Sequence, residues 1–375
     1  MTKARDIADI GSSATRLDTV GSNFIINGDM KIFQRATAAT AVANNYTTAD
    51  RWKAWNDSTY GGAMTTERST DVPSGQGFSY SLKLQCSTAS TSTAAAEYAQ
   101  FNQAIEAQNC QAFAYGTSGA KTLTLSFWCK SNKTGVYTVA FRKPDSTTYI
   151  IPIEYTISSA DTWEKKTITV SPTAGSTTLI TNSGGAIAND NGSGLEVFWN
   201  LLLGSNYTGG TSGTWSSNAN HYSTTNAVNW LDNTANNFYI TGVQLQIGDT
   251  STDFEVEDYG TTLAKCQRYL NKWTVDASGG SYNFFAMGYS YQSTNANIVS
   301  QLPQNMRASP SFSHSGNFRL CSNGCVNVTG IALSRANTRT PTIVPEVSSG
   351  LTAGDAYGLG DNNDVNAYIQ FDAEL

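Results

Sequence analysis

The chain has 375 residues, enough for two or three domains each with its own core, and only 14% of them are charged. A net charge of −6 with no Lys/Arg cluster excludes a surface built to neutralise a phosphate backbone. No run approaches the ~18 apolar residues of a membrane-spanning helix, the start MTKARDIADIGSSATRLDT lacks the apolar centre of a secretory signal, and abundant aromatic, Ser, Thr, Asn and Gly residues predict a β-rich, turn-rich protein.

Residues 1–22 begin with charge, pass through Ile7 and Ile10, and end in Gly and Ser. So short a segment buries no core of its own. It reads either as a frayed terminus or as an attachment peptide that orders on a partner, with Ile7 and Ile10 as its apolar contacts. NFIINGDMKIFQR at 23–35, followed by YTTADRW at 46–52, is expected to supply the first strand of a β-sandwich.

Strand signals then dominate. Leu123, Leu125, Phe127 and Cys129 alternate with Thr122, Thr124, Ser126 and Trp128, and Tyr137, Val139 and Phe141 alternate with Thr138 and Ala140. Each period of two marks a strand with one buried face, which makes Cys129 a buried small hydrophobe. Ile168 and Val170, then Leu195, Val197, Trp199 and Leu201, continue the pattern between Gly- and Asn-rich turns.

Residues 204–230 form a loop far longer than a hairpin needs. Tyr207, Trp215, Tyr222 and Trp230 stand there among Asn, Ser and Thr. Such a mixture stacks on sugar rings and bonds their hydroxyls, packs against another subunit, or fills the loop itself. These four are the candidate glycan-binding residues, with Trp55, Tyr60 and Tyr98 as a second group.

In FYITGVQLQIGDTSTDFE at 238–255, Phe238 and Ile240 share one face, yet the next apolar set is Val243, Leu245 and Ile247. The change of parity predicts a β-bulge at Thr241 and Gly242. The period then switches. In LAKCQRYLNKW, Leu263, Cys266, Leu270 and Trp273 recur at helical spacing, which predicts a linking helix over 259–273 with Asp258 or Thr261 as N-cap and Cys266 on its apolar face. β signals return in 274–375. Phe318 and Leu320, a Ser-Asn-Gly turn, and Val326 and Val328 make a hairpin whose loop would set Cys321 opposite Cys325. That leaves a disulfide open, whereas zinc lacks a second ligand pair. Ala367, Ile369, Phe371 and Ala373 form a terminal strand.

Chemistry is thinly represented. His221 and His314 are the only histidines and share no metal-ligand spacing, so neither a metal site nor a Ser-His-Asp triad is expected. Asp29, Asp50, Glu97, Glu106 and Glu196 fall at strand edges or turns and read as solvated or hydrogen-bonded carboxylates, although a glycosidase pair would meet in space rather than in sequence. Nucleotide-binding glycine patterns are absent.

INGDMKIFQR, YTTADRW, FYITGVQLQIGDTSTDFE, LAKCQRYLNKW, LPQNMRASPSF and the terminal FDAEL together resemble tail-fibre and related virion structural proteins of bacteriophages, particularly marine and cyanobacterial ones. ARDIADIGSSA is similar to openings in that group. Residues 23–258 are similar to carbohydrate-binding-module jelly rolls, which begin with an NGD-type strand and close with a VQLE-type strand. Gln246 stands here where the closing motif carries an acid, and Met30 and Lys31 follow Asp29, so an inherited calcium site lacks its acidic groups and no cofactor is expected.

The expected architecture is all-β: an attachment segment over 1–22, a jelly-roll sandwich over 23–258, a linking helix over 259–273 and a smaller β domain over 274–375. The resemblance implies a non-enzymatic virion protein, made in the host cytoplasm: a homotrimeric tail-fibre or adhesin subunit. It would attach to other tail or virion proteins through its N-terminus and recognise a host surface polysaccharide, with no nucleic acid bound and no membrane insertion. The alternative is a virion decoration, head-fibre or adaptor protein making only protein contacts. A depolymerase of the fibre kind would more often show a long repeated β-helix, and no such repeat is present.

Overall fold

The alternating runs of the first part of the chain pair into two antiparallel sheets that face each other. In the first sheet the order is β1 (Ala38–Ala39), β4 (Ala63–Ser69), β5 (Ser81–Thr88), β12 (Asn237–Ile247), β7 (Leu123–Ser131) and β10 (Glu164–Val170). The second runs β2 (Asn45–Tyr46), β3 (Lys53–Asn56), β6 (Tyr98–Glu106), β11 (Ser193–Leu203), β8 (Gly135–Lys143) and β9 (Tyr149–Ile157). The structure is a computed structural model and describes residues 23–39, 44–275 and 282–375. Ile7 and Ile10 lie outside the described residues. The chain divides into two compact units, one up to Tyr259 together with Leu375, and one over Gly260–Glu374.

The first unit is a jelly-roll sandwich. Leu123, Leu125, Phe127 and Cys129 of β7 join Leu195, Val197, Trp199 and Leu201 of β11 in one core, none more than 1% exposed. Trp199 stacks on Phe101 at 5.4 Å between centroids and meets Phe127 edge-on at 5.6 Å. Burial leaves each such side chain worth roughly 1.5–3 kcal/mol. It also pushes the Cys129 thiol up to about 12, which keeps it an inert hydrophobe.

β12 changes register between Thr241 and Gln244, with Gly242 at φ +62°. Phe238, Ile240, Val243 and Leu245 consequently all reach the core, each 0% exposed, despite their mismatched spacing.

The opening motif is not a strand. Residues 23–35 make a turn organised by Asn27, itself at φ +58°. Its side chain accepts from the N–H groups of Lys31 and Ile32 and donates to the carbonyls of Ile32 and Asp50. An Asn-Gly pair with a local side-chain hydrogen-bond network favours this turn over a ladder. The turn is pinned to β12 at its bulge: the Val243 N–H donates to the Gly28 carbonyl at 2.9 Å, and the Leu245 N–H to Asn23 Oδ1 at 3.0 Å. Gln246, at the position of the expected acid, binds Thr252 through its amide.

The helix is shorter than its spacing implies. α1 spans Tyr259–Gln267, belongs mostly to the second unit, and gives way to a strand, β13 (Leu270–Thr274). Leu270 and Trp273 therefore belong to β13. There the backbone of residues 270–274 pairs with β22 (Tyr368–Asp372), and this tertiary ladder overrides the helical period. β22 also pairs with β16 (Ser311–Ser315) to complete a three-stranded sheet.

The other sheet of the second unit has seven strands, in the order β18 (Cys325–Asn327), β17 (Phe318–Cys321), β21 (Ala356–Asp361), β14 (Phe284–Gln292), β15 (Asn295–Val299), β20 (Thr342–Glu346) and β19 (Gly330–Arg335). Ile298, Leu320, Ile343 and Leu359 from this sheet share a core with Ile369 and Phe371 from the three-stranded one, all 0% exposed. Cys321 pairs with Cys325 across the β17–β18 hairpin, and the two form a disulfide.

Candidate functional site

The outer face of the second sheet carries the aromatic groups. On β6, Ala99 and Phe101 point into the core, which leaves Tyr98, Gln100 and Asn102 on the outside. β3 follows the same parity: Ala54 is inside, and Trp55 stands outside opposite Gln100. The Trp55 indole donates to Asn102 Oδ1 at 2.7 Å, and the Lys53 ammonium sits 3.8 Å from its ring centre.

The 204–230 loop folds back across this face. Its backbone is tied down by the Gly204 N–H to the Glu97 carbonyl at 2.8 Å and by a bridge between Ser216 and Ile150 of β9. Within the loop the Ser223 N–H donates to the Tyr207 carbonyl at 3.0 Å, and Asn200 of β11 donates to the Tyr222 carbonyl at 2.8 Å. Phe198, Ala140 and Ile150 form a small apolar bed beneath, against which Tyr222 and Trp55 pack.

The four loop aromatics separate into two pairs. Trp215 and Trp230 are 2% and 0% exposed, so neither is a glycan-binding surface residue. Their indole N–H groups donate to the backbone carbonyls of Ser171 at 2.9 Å and Asn237 at 3.1 Å, and their rings belong to the sandwich core. With that donor satisfied, burial of the large ring is favourable. Tyr207 and Tyr222 remain half-buried at the surface with centroids 6.3 Å apart, and Tyr98 lies 6.1 Å from Tyr207.

These rings line a groove of about 200 Å³ formed by Trp55, Tyr98, Gln100, Leu203, Tyr207, Asn220 and Tyr222. Two members of each aromatic group are thus brought together; Tyr60, 41% exposed, is not among the lining residues. Loop composition announces Asn220 only as one of several amides and gives no hint of Gln100 or Leu203. The parity of β6 does mark Gln100, two residues from Tyr98, whereas Leu203 faces outward only because β11 slips register between Asn200 and Leu202.

No lining residue is itself charged, and the nearest cation described is the Lys53 ammonium against the Trp55 ring. Burial, followed by neighbouring tyrosines and Asp57, raises the Tyr207 phenol, and burial raises Tyr222 despite the nearby Arg142 cation. Both phenols therefore stay protonated at neutral pH and present donor hydroxyls. The groove offers apolar ring faces, phenolic O–H groups and neutral amides, and no carboxylate pair of the kind that glycoside cleavage uses. A second cavity, about 250 Å³, lies by the outer face of the first sheet, where one indole, Trp128, is accompanied by Lys165 and Asp253.

The remaining polar candidates have local partners. Asp29 pairs with Lys31 at 2.8 Å and Glu196 with Arg142 at 2.7 Å. Asp50 accepts from Gln34, Glu97 from the Ala94 N–H, and Glu106 from Gln108. His221 lies between Ser216 Oγ at 2.9 Å and Asn218 Nδ2 at 3.0 Å. Asn218 Oδ1 accepts from the Asn220 N–H, so its amide nitrogen donates to His221 Nε2. In a neutral imidazole with this amide orientation, the proton is on Nδ1 and points at Ser216 Oγ. That geometry is the reverse of a histidine positioned to take a proton from serine. Among the described residues no group of three or more His, Cys, Asp or Glu is placed to hold a metal, and no helix is long and apolar enough to cross a membrane.

The chain matches no protein-family model, and no curated protein matches it in sequence. Among solved structures, it is similar to the enzymatically active domain of tailspike protein 4 of bacteriophage CBA120, at 14% identity and a TM-score of 0.29 over 60% of this chain. The match spans 21% of that tailspike chain. A family 4 carbohydrate-binding module is 17% identical with a TM-score of 0.30, over 59% of this chain and 98% of its own. A xylan-binding domain from Paenibacillus barcinonensis is 9% identical with a TM-score of 0.28, over 62% and 99%. Similarity this low identifies neither a family nor a ligand.

Proposed function

We propose that this protein is a non-enzymatic glycan-binding subunit of a bacteriophage tail fibre or related virion structure. It assembles as a homotrimer, attaches to other virion proteins through its N-terminal segment, and recognises a polysaccharide on the host surface. The glycan assignment is carried by one observation, the groove of neutral side chains in which Trp55, Tyr98, Tyr207 and Tyr222 converge with Gln100 and Asn220. Ring faces of this kind stack on the C–H side of a pyranose, and amides and phenols bond its hydroxyls. The groove is small against the ~300–1,000 Å³ of sites for larger ligands, which suits a short sugar motif. The virion assignment is supported by the motif resemblance described above.

Titration of the purified chain with oligosaccharides from host surface polysaccharide tests the reading. Tyr98→Ala and Tyr207→Ala should each weaken binding about five-fold or more, equivalent to roughly 1 kcal/mol of lost stacking, with the thermal midpoint unchanged. If no host glycan binds the folded protein, the decoration or adaptor reading replaces this one. Release of new reducing ends from the polysaccharide would overturn the non-enzymatic assignment.

A further inference from the structure

The second unit leaves one sheet face uncovered. β14 lies mid-sheet between β21 and β15, yet Phe284, Met287, Tyr289 and Tyr291 are 56%, 69%, 52% and 45% exposed, and Val299, paired with Met287 on β15, is 47% exposed. With Tyr282, six of the ten large exposed hydrophobic residues among those described fall within 282–299. Register puts Phe284, Met287, Tyr289 and Val299 on one side: Phe284 pairs with Gly360, Met287 with Gly358 and Val299, and Tyr289 with Asn297, while Phe285 and Ala286 turn into the core. The two glycines add no side chain, so the Phe284 ring lies over the backbone of β21, where a Cβ on Gly358 would come within 2.7 Å of it.

We propose that this face is the surface through which copies of the chain associate. A central strand with apolar residues on both sides is the pattern of a sheet covered on both faces. The occupant follows from charge and area. Residues 277–306 contain no Asp, Glu, Lys or Arg, in a chain where 14% of residues are charged. Two copies each carrying −6 repel one another in general. The two central strands of the face, β14 and β15, carry no charge, and register places the nearest charges on the flanking strands, at Arg319 and Arg335. Copies that meet over the centre do so without burying an unpaired ion. Five side chains about half exposed leave roughly 400–670 Å² uncovered if each offers about 150–250 Å² when fully exposed. That is about half to four-fifths of the ~800 Å² per partner in a standard interface, before the surrounding backbone, Gly358, Gly360 and Asn297 are counted. Copies related by a closing rotation about an axis beside this face form a closed symmetric assembly. The inference supplies the contact for the homotrimer proposed above and is independent of the groove.

Sedimentation velocity of the full chain, with and without Met287→Lys/Tyr289→Lys, tests it. The unaltered chain should sediment as an assembly of two or more copies at tens of micromolar, and the double variant as a single folded chain. A milder pair, Tyr291→Gln/Val299→Thr, should raise the dissociation constant at least ten-fold with far-UV dichroism and melting intact, which covers the case in which the lysines prevent folding. An unaltered chain that is monomeric, or variants that keep the parental mass, would overturn the proposal. A monomeric parent whose glycan binding is lost in the milder pair would make the face a sugar platform and also overturn it. Titration with a monovalent oligosaccharide separates the two sites, because the Tyr98 and Tyr207 variants should leave the mass unchanged and the β14 variants should leave the monovalent affinity unchanged.

Discussion

At the scale of single residues, an indole and a phenol in the same loop obey different constraints. Trp215 and Trp230 each have one polar hydrogen, given to the carbonyls of Ser171 and Asn237, so their rings enter the core with no donor left unpaired. Trp215→Ala should therefore cost about 3–5 kcal/mol in urea unfolding, whereas Tyr207→Ala should leave the unfolding midpoint close to the parent. The composition of residues 204–230 announces an aromatic loop and nothing more, because the partners of those indoles are contributed by backbone about 44 and 7 residues away. A buried carboxylate sets a pH dependence in the second unit. Asp361 accepts from the N–H groups of Tyr282, Asn283 and Asp364; burial alone would raise its pKa, and these bonds together outweigh burial and hold it below its usual value. A group with a lowered folded pKa contributes its full stability above its unfolded value, near 3.8, and loses it as pH falls through the folded one. Asp361→Asn should be less stable than the parent at pH 7, and the difference should shrink in acid unfolding below about pH 4.

At the scale of elements, period two is reliable wherever one sheet face is buried. The alternation in β7 and β11 has a direct counterpart in their core residues, and the broken alternation of β12 marks the bulge. Gly242→Ala makes the bulge testable. The position has φ +62°, and an added Cβ would come within 2.5 Å of the Phe78 ring, so chemical denaturation should show a loss of about 1–3 kcal/mol. The helical period of LAKCQRYLNKW misleads after Gln267 because strand pairing to β22 supplies more than the local preference of five residues. The NGD segment carries an Asn-Gly turn signal that its flanking apolar residues obscure. Its Ile25, Met30 and Ile32 are buried from a turn, with no ladder to give them a period.

At the scale of the whole molecule, the proposals combine one shallow groove per chain with an assembly of several chains. A groove of about 200 Å³ makes few contacts, so useful attachment would come from simultaneous engagement of copies. Binding to surface-immobilised polysaccharide should exceed binding to the free oligosaccharide by about 10²-fold or more, and the Met287→Lys/Tyr289→Lys variant should lose that excess while keeping the free-ligand affinity. The turn at residues 23–35 has a consequence for how such a chain is made. Its N–H and carbonyl partners on β12 lie about 220 residues downstream, at Val243 and Leu245. During synthesis the segment precedes β12 and lacks these partners until β12 has left the ribosome. The first unit therefore closes by a long-range contact, late and slowly, and chains that stop short of β12 leave an open sandwich edge exposed to aggregation.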